Sequence, residues 1–161
     1  MIPIYAGTFG HTSVIKRMVK VFGRGIVLLA TNPDKDHMFT GEQRQQLIKE
    51  AVEEIGLGGK VGVSATFGYV ADWAKELFPN DAILVRGIRG NGDLEYEMRI
   101  AAYNRSYGID TVFLPAEAGY LDISSSKLKE YLKEEKWEDI DHAAPRCVRN
   151  FLTKRMYGKS K

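Results

Sequence analysis

Residues 2–22, which read IPIYAGTFGHTSVIKRMVKVF, decide how this chain folds. A short apolar strand runs into a glycine-flanked turn, and apolar residues then recur at helical spacing, which predicts a helix beginning near Thr12. Free N–H groups and the positive end of the helix dipole meet at such a junction and favour an anion. The glycines let a ligand approach the backbone closely, and Thr8 and His11 add a hydroxyl and an imidazole. The turn is therefore a candidate anion site.

On its own, this turn is a weak signal. Glycines between a strand and a helix are usually only turn chemistry, and a single histidine is more often a cap or a surface residue than a catalyst. The turn matches neither the P-loop pattern nor the G-x-G-x-x-G fingerprint. The rest of the chain has to supply the evidence for function.

The composition indicates one domain over residues 1–161, with a core in about residues 2–134 and a C-terminal helical segment in about residues 135–157. The formal net charge of +2 is too small to indicate nucleic-acid binding. A single cysteine, Cys147, excludes an internal disulfide and is typical of a cytoplasmic protein. No apolar run reaches membrane-spanning length and the N-terminus is unlike a secretion signal, so we expect no membrane association.

Strand-like apolar runs alternate with amphipathic helical stretches, which favours an α/β fold with a five-stranded parallel sheet and helices on both faces. After the first strand, further strands are predicted at residues 25–30, 61–65, 82–85 and 111–114. Thr40 and Gln43 have the spacing of a capping box. Asp93 is the expected N-cap of a long helix, and Pro145 is expected to begin the last helix.

Loops that follow the strands of a parallel sheet open at the same edge, where α/β proteins bind ligands. The polar residues of these loops are Thr8, His11, Asn32, Lys35, Arg86, Arg89 and the serines at 124–126. An imidazole, a lysine, two arginines and helix N-termini indicate a polyphosphate site. The set contains no nucleophile–base pair and no metal-ligand spacing. It therefore favours phosphoryl or nucleotidyl transfer, which depends on placement and charge stabilisation, over hydrolysis.

Collinear stretches within residues 2–134 carry a family resemblance. They read YAGTF and GH over 5–11, NPDK over 32–35, MFT over 38–40, RGIR over 86–89, DLEYE over 93–97, NR at 104–105, TVFL over 111–114 and ISSSKLKE over 123–130. In these stretches the chain resembles the bacterial phosphopantetheine adenylyltransferases, which are nucleotidyltransferases with an H/T-x-G-H motif. The resemblance implies adenylyl transfer from ATP to 4′-phosphopantetheine, giving dephospho-coenzyme A and pyrophosphate. It also implies Mg²⁺ carried with ATP, inhibition by coenzyme A, and a homohexamer of Rossmann-like subunits.

The resemblance implies a role for individual residues. The candidate catalytic residues are His11, Thr8, Lys35 and Arg86. ATP is expected to contact Gly7, Phe9, His11, Gly87, Arg89, Glu97, Ser124, Ser125 and Ser126. The acceptor substrate is expected to contact Thr8, Lys35, Phe67, Arg86 and Asn104. No residue is expected to hold a metal ion of its own, and no general base is needed because a phosphate monoester is already nucleophilic.

The opening motif departs from the family pattern Gly-Thr-Phe-Asp-Pro-x-Thr-x-Gly-His, because Gly10 and His11 follow Phe9 directly and five residues are absent. A shortened loop could move His11 away from Thr8, and an ångström-scale misplacement costs about a hundredfold in rate. Two alternatives therefore stay open. One is another nucleotidyltransferase, of the nicotinamide-mononucleotide or cytidylyl type. The other is a catalytically weakened protein that binds coenzyme A or a nucleotide.

Overall fold

The structure is a computed structural model that describes the backbone of residues 2–3 and all of residues 7–30 and 39–158. The strands are Ile2–Pro3 (β1), Gly25–Ala30 (β2), Val61–Thr66 (β3), Ile83–Ile88 (β4) and Asp110–Pro115 (β5). The helices are Phe9–Phe22 (α1), Gly41–Glu54 (α2), Val70–Leu77 (α3), Asn91–Ser106 (α4), Ser125–Lys133 (α5), Trp137–Ala143 (α6) and Arg146–Tyr157 (α7), with a 3₁₀ turn at Ala118–Tyr120.

The strands of the described residues form two parallel sheets. In one, β2 lies between β1 and β3, with Val27 opposite Ile2 on one side and Val63 on the other. In the second, β4 pairs with β5 from Ile83 opposite Asp110 onward. Strand β1 also contacts β4. The predicted α/β architecture with parallel strands is therefore confirmed.

The main hydrophobic core lies between α1 and the strands. Val27, Leu28 and Leu29 of β2 are fully buried, as expected for a continuous apolar strand covered on both faces. Helix α1 packs Ile15 and Met18 into the same core, and α2 contributes to it as well. Each such side chain contributes about 1.5–3 kcal/mol on burial, which makes α1 a central element of the fold.

Two helix starts differ from the sequence-based expectation. Helix α1 begins at Phe9 rather than near Thr12, because Thr8 has extended backbone angles and its carbonyl accepts the first helical hydrogen bond. The predicted N-cap role of Asp93 is wrong, since α4 begins at Asn91 with Gly90 as its N-cap. Asp93 lies instead in the first turn of α4.

Other helix boundaries agree with the sequence. Thr40 and Gln43 form the predicted capping box. The Thr40 side chain accepts from the Gln43 backbone N–H at 3.2 Å, and the Gln43 side chain accepts from the Thr40 backbone N–H at 3.0 Å. Pro145 is the N-cap of the last helix, which begins at Arg146, one residue after the expected start, and α6 is a separate helix that the pattern did not distinguish. Among the described helices, none has the length and apolar character needed to cross a bilayer.

The C-terminal helices pack onto α2 and α5. Their core contains Phe39, Leu47, Leu128, Ile140, Val148 and Leu152. Val148 of α7 also lies against Gly7, where an added Cβ would come within 3.3 Å of its side chain. The last helix therefore supports the turn that leads into α1.

A carboxylate from α2 caps α7. Pro145 has no side-chain acceptor, and Glu54 instead accepts hydrogen bonds from the backbone N–H groups of Arg146 at 3.0 Å and Cys147 at 3.1 Å. Burial raises the pKa of Glu54, but these two hydrogen bonds, with the Cys147 side chain and the charge of Arg146, outweigh it, so the pKa lies below its ordinary value.

We expect Glu54→Ala to lower the free energy of unfolding at pH 7 by about 1 kcal/mol, the usual contribution of a helix cap. Because the folded-state pKa is depressed, this stabilisation is present above the unfolded-state pKa and lost as the pH falls through the folded-state pKa. Urea denaturation at pH 7 and pH 3 measures the difference. Glu53→Ala, which removes the neighbouring exposed carboxylate over Gly58, is the matched control. The same loss for Glu54→Ala at both pH values would contradict the expectation.

Candidate active site

A cleft of about 310 Å³ opens where α1 begins, where β4 ends and where α5 begins. It is lined by Thr8, Gly10, His11, Val14, Arg86, Gly87, Arg89, Asp93, Glu97, Ala116, Tyr120, Ile123, Ser124, Ser125 and Ser126. The loops after several strands thus meet at one edge, as the alternation of strands and helices predicts.

Most of the predicted site residues that the structure describes line this cleft. Thr8, His11, Arg86, Gly87, Arg89, Glu97, Ser124, Ser125 and Ser126 do so. Asn32 and Lys35 lie outside the described residues. The sequence therefore identified the side chains that β4, α1 and α5 bring together.

Four predicted residues are not part of the cleft lining. Gly7 packs under Val148, and Phe9 stacks on Tyr120 with ring centroids 6.2 Å apart. Phe67 follows β3 and is 86% exposed. Asn104 is buried near the end of α4, where its carbonyl accepts a hydrogen bond from the backbone of Ile109.

Tyr120 and Ile123 line the cleft although no sequence pattern indicates them, and so does Asp93, whose residue type indicates only a cap. Tyr120 and Ile123 belong to the irregular segment between β5 and α5, which has no periodicity that predicts the direction of a side chain. Gly10 lies against the same segment, since an added Cβ would meet the carbonyl of Ile123 at 3.4 Å.

Thr8 and His11 contact each other despite the shortened motif. The Thr8 hydroxyl lies 2.8 Å from His11 Nδ1, and the Thr8 backbone N–H donates to the same nitrogen at 3.3 Å. The contact forms because Thr8 is the N-cap and His11 the third helical residue of α1, so the two lie one turn apart. The loss of five residues therefore does not separate them.

The contacts at Nδ1 favour one tautomer of His11. Because the Thr8 backbone N–H can only donate, its 3.3 Å contact favours Nδ1 as the acceptor and a proton on Nε2, while the Thr8 hydroxyl at 2.8 Å can donate or accept. Burial, together with the charges of Arg89 and Arg86, lowers the pKa of His11 from 6.5 to about 4. His11 is therefore a neutral imidazole near pH 7 that offers an Nε2–H donor.

Each arginine of the cleft is paired with a carboxylate of α4. Arg86 donates to Glu97 through two hydrogen bonds of 2.6 Å, and both side chains are largely buried. Arg89 donates to Asp93 at 2.7 and 3.0 Å, and these hydrogen bonds hold the pKa of Asp93 below its usual value. The positive charges of the two arginines are thus balanced within the described part of the cleft.

Helix starts supply further donors. Ser124 accepts a hydrogen bond from the backbone N–H of Lys127 at 3.0 Å and caps α5. Ser125 and Ser126 occupy the first turn of α5, where backbone N–H groups have no partner within the helix. Together with the start of α1, this arrangement can bind an anion through dipoles and N–H groups. Within residues 7–30 and 39–158, no cluster of three or more His, Cys, Asp or Glu side chains could hold a metal ion.

Gly87 fixes the distance between β4 and α1. A Cβ at this position would lie 2.8 Å from the side chain of Val14, closer than real Cβ atoms come. Since His11 lies one turn before Val14 and Arg86 precedes Gly87, this contact sets the spacing between the imidazole and the arginine.

The matching family model and the similar curated proteins agree that the chain is similar to nucleotidyltransferases. Residues 7–131 match the family model described as cytidylyltransferase-like. The chain is 37% identical over 152 residues to a phosphopantetheine adenylyltransferase of Actinobacillus pleuropneumoniae serotype 7 (strain AP76), an alignment that covers 90% of this chain and 92% of that protein. It is 36% identical to the enzyme of that name from Psychromonas ingrahamii, with 90% and 87% of the two chains covered. For the Prochlorococcus marinus subsp. pastoris protein of that name the identity is 35%, with 92% and 94% covered.

Gly87→Ala is expected to lower the free energy of unfolding by about 1–3 kcal/mol, because α1 and β4 must separate to admit a methyl group beside Val14. Gly92→Ala is the matched control, since nothing lies within 4 Å of an added Cβ there and alanine favours a helix. Thermal unfolding of both variants tests this. Equal stability of the two variants would refute a packing role for Gly87.

His11 is expected not to titrate between about pH 5.5 and 8, because its pKa is lowered to about 4. Nitrogen-15 NMR of the imidazole, assigned with a His11→Gln variant, should show a neutral ring with the proton on Nε2 throughout this range. A midpoint near the ordinary histidine value, or a proton on Nδ1, would contradict the geometry.

Proposed function

Because this chain belongs to the phosphopantetheine adenylyltransferase family, we propose that it transfers the adenylyl group of ATP to 4′-phosphopantetheine, giving dephospho-coenzyme A and pyrophosphate. The observation that carries this proposal is the meeting of His11, Arg86 and the start of α5 at one cleft. Two phosphorylated molecules need such a set of donors in one place.

In the proposed reaction, an oxygen of the acceptor phosphate attacks the α-phosphorus of ATP. The new P–O bond forms as the bond to the bridging oxygen of pyrophosphate breaks, and pyrophosphate leaves with the electron pair. Negative charge develops on the oxygens around the α-phosphorus. We propose that His11 Nε2–H and the N–H groups at the starts of α1 and α5 stabilise that charge, since preorganised donors are effective in a partly dry site.

The remaining roles are proposed from the family. Thr8, Lys35 and Arg86 would hold the acceptor phosphate, while Phe67 and Asn104 would contact the pantetheine arm, which extends away from that phosphate. ATP would contact Gly7, Phe9, His11, Gly87, Arg89, Glu97, Ser124, Ser125 and Ser126. Mg²⁺ would arrive as part of the MgATP substrate, which agrees with a described cleft whose carboxylates are engaged by arginines. Coenzyme A contains both the adenylyl part and the phosphopantetheine part of the product dephospho-coenzyme A, and it would inhibit at the same cleft.

We also propose that the two described sheets are parts of one five-stranded Rossmann-like sheet in the order β3-β2-β1-β4-β5. The contact between β1 and β4 supports this order. The cleft then lies between β1 and β4, where the strand order reverses, which is the usual ligand position in open α/β sheets.

We further propose that the chain assembles into a homohexamer and is located in the cytoplasm. Exposed apolar side chains on and beside α3 and α4 support contact with further copies of the chain. They include Phe67, Tyr69, Leu77, Tyr96, Met98 and Tyr103. A surface with so many exposed large side chains is typical of an interaction site.

The test of the function is a pyrophosphate-release assay with MgATP and 4′-phosphopantetheine. We expect turnover with this pair and none when nicotinamide mononucleotide replaces the acceptor or MgCTP replaces MgATP. No turnover, together with calorimetric binding of coenzyme A, would instead favour a binding protein, the alternative that the shortened motif raises.

His11→Ala is expected to lower kcat by at least about a hundredfold while the Kd for MgATP changes far less, because the Nε2–H contact is made chiefly in the transition state. Single-turnover kinetics and calorimetry measure the two quantities. His142→Ala, an exposed histidine of α6, is the control and should behave as wild type. Equal losses in kcat and in MgATP affinity would remove His11 from this role.

A further inference from the structure

We propose that Asp93 is a positioning residue that holds the Arg89 guanidinium in place for the polyphosphate of the nucleotide. This inference rests on the proposed function. Arg89 lies in the short connection between β4, which ends at Ile88, and α4, which begins at Asn91. Both Arg89 and Asp93 line the cleft.

Asp93 restrains both the side chain and the backbone of Arg89. One carboxylate oxygen accepts from Arg89 Nε at 2.7 Å and from the Arg89 backbone N–H at 3.2 Å. The other accepts from Nη2 at 3.0 Å. The whole residue is therefore tied to the first turn of α4.

These contacts leave one edge of the guanidinium available. The carboxylate takes the edge formed by Nε and Nη2, and no residue among 7–30 and 39–158 accepts a hydrogen bond from Nη1. A guanidinium binds a phosphate in bidentate fashion through two adjacent N–H groups, so the edge formed by Nη1 and Nη2 can serve the ligand. Glu97 takes the equivalent edge of Arg86, with two hydrogen bonds of 2.6 Å.

A restraint matters at this position because Arg89 lies in the short connection between β4 and α4. Gly90 follows it there, and glycine gives the backbone more freedom than any other residue. An arginine on such a segment loses rotamer freedom when it binds a ligand, unless that freedom has already been removed. The ion pair is also partly exposed, with side chains 42% and 32% accessible, and such pairs contribute little to folding stability. The effect of the Arg89–Asp93 ion pair on ligand binding is thus separable from its effect on folding stability.

The charge of Asp93 acts in the opposite direction, since a carboxylate repels a polyphosphate. Salt weakens this repulsion but leaves the hydrogen-bonded geometry in place. Binding measured at about 0.15 M and about 0.5 M KCl therefore distinguishes the orientation of Arg89 by Asp93 from the repulsion of the polyphosphate by Asp93.

The experiment compares wild type, Asp93→Asn, Arg89→Ala and the double variant by calorimetry with pyrophosphate and with MgATP. We expect Asp93→Asn to weaken binding of both by about three- to tenfold at both salt concentrations, the loss caused by an unrestrained side chain. The KM for MgATP should rise by a similar factor, with the KM for 4′-phosphopantetheine unchanged. In the Arg89→Ala background, Asp93→Asn should have no further effect, since Asp93 acts through Arg89.

Glu95→Gln is the matched control. Glu95 lies on the same helix and pairs with Arg99 at 2.8 Å, but both side chains are more than 75% exposed and neither lines the cleft. This variant should bind pyrophosphate as wild type does.

Tighter or unchanged binding by Asp93→Asn would overturn the inference, and so would an equal loss in the presence and absence of Arg89. A loss that extends to the acceptor KM would identify a purely structural role and would also overturn it. Pyrophosphate keeps this test separate from that of the proposed function. If wild type binds pyrophosphate and Asp93→Asn weakens it, but ATP and 4′-phosphopantetheine do not react, the proposed function fails and the positioning role stands.

Discussion

The contact between Val14 of α1 and Gly87 of β4 is the constraint on which the cleft depends. It brings helix and strand closer together than any side chain at position 87 would allow. One turn before Val14 lies His11, and Gly87 lies directly beside Arg86 in the strand. A packing contact in the core thus sets the distance between groups that line the cleft, because well-packed interiors are rigid.

The electrostatics of the cleft depend on neutral donors more than on net charge. His11 is half-buried, and its desolvation together with the charges of Arg89 and Arg86 lowers its pKa to about 4, so it provides a hydrogen bond without a formal charge. Both arginines are in turn balanced by carboxylates of α4. An anion in this cleft therefore meets N–H dipoles and the remaining guanidinium edges, which need little reorganisation when charge develops on a ligand.

Two features that depend on neighbouring residues were predicted correctly, and two helix starts were not. The capping box at Thr40 and the buried strand Gly25–Ala30 agree with the structure, because local hydrogen bonds and apolar periodicity determine them. Helix α1 begins three residues before the apolar periodicity indicates, because Phe9 and Gly10 already have helical geometry. The residue type of Asp93 suits a cap, but Gly90 caps the helix and Asp93 reaches back to Arg89.

The sequence alone determined the alternation of strands and helices, the family resemblance and the set of polar residues at the loop edge, since each follows from local pattern and residue type. Only the tertiary structure decided which of these residues contact one another and which protonation state they have. The pairing of Arg86 with Glu97, the contribution of Tyr120 to the cleft and the lowered pKa of His11 all depend on distances between groups on different elements. Such distances result from packing, which periodicity in a single chain does not specify.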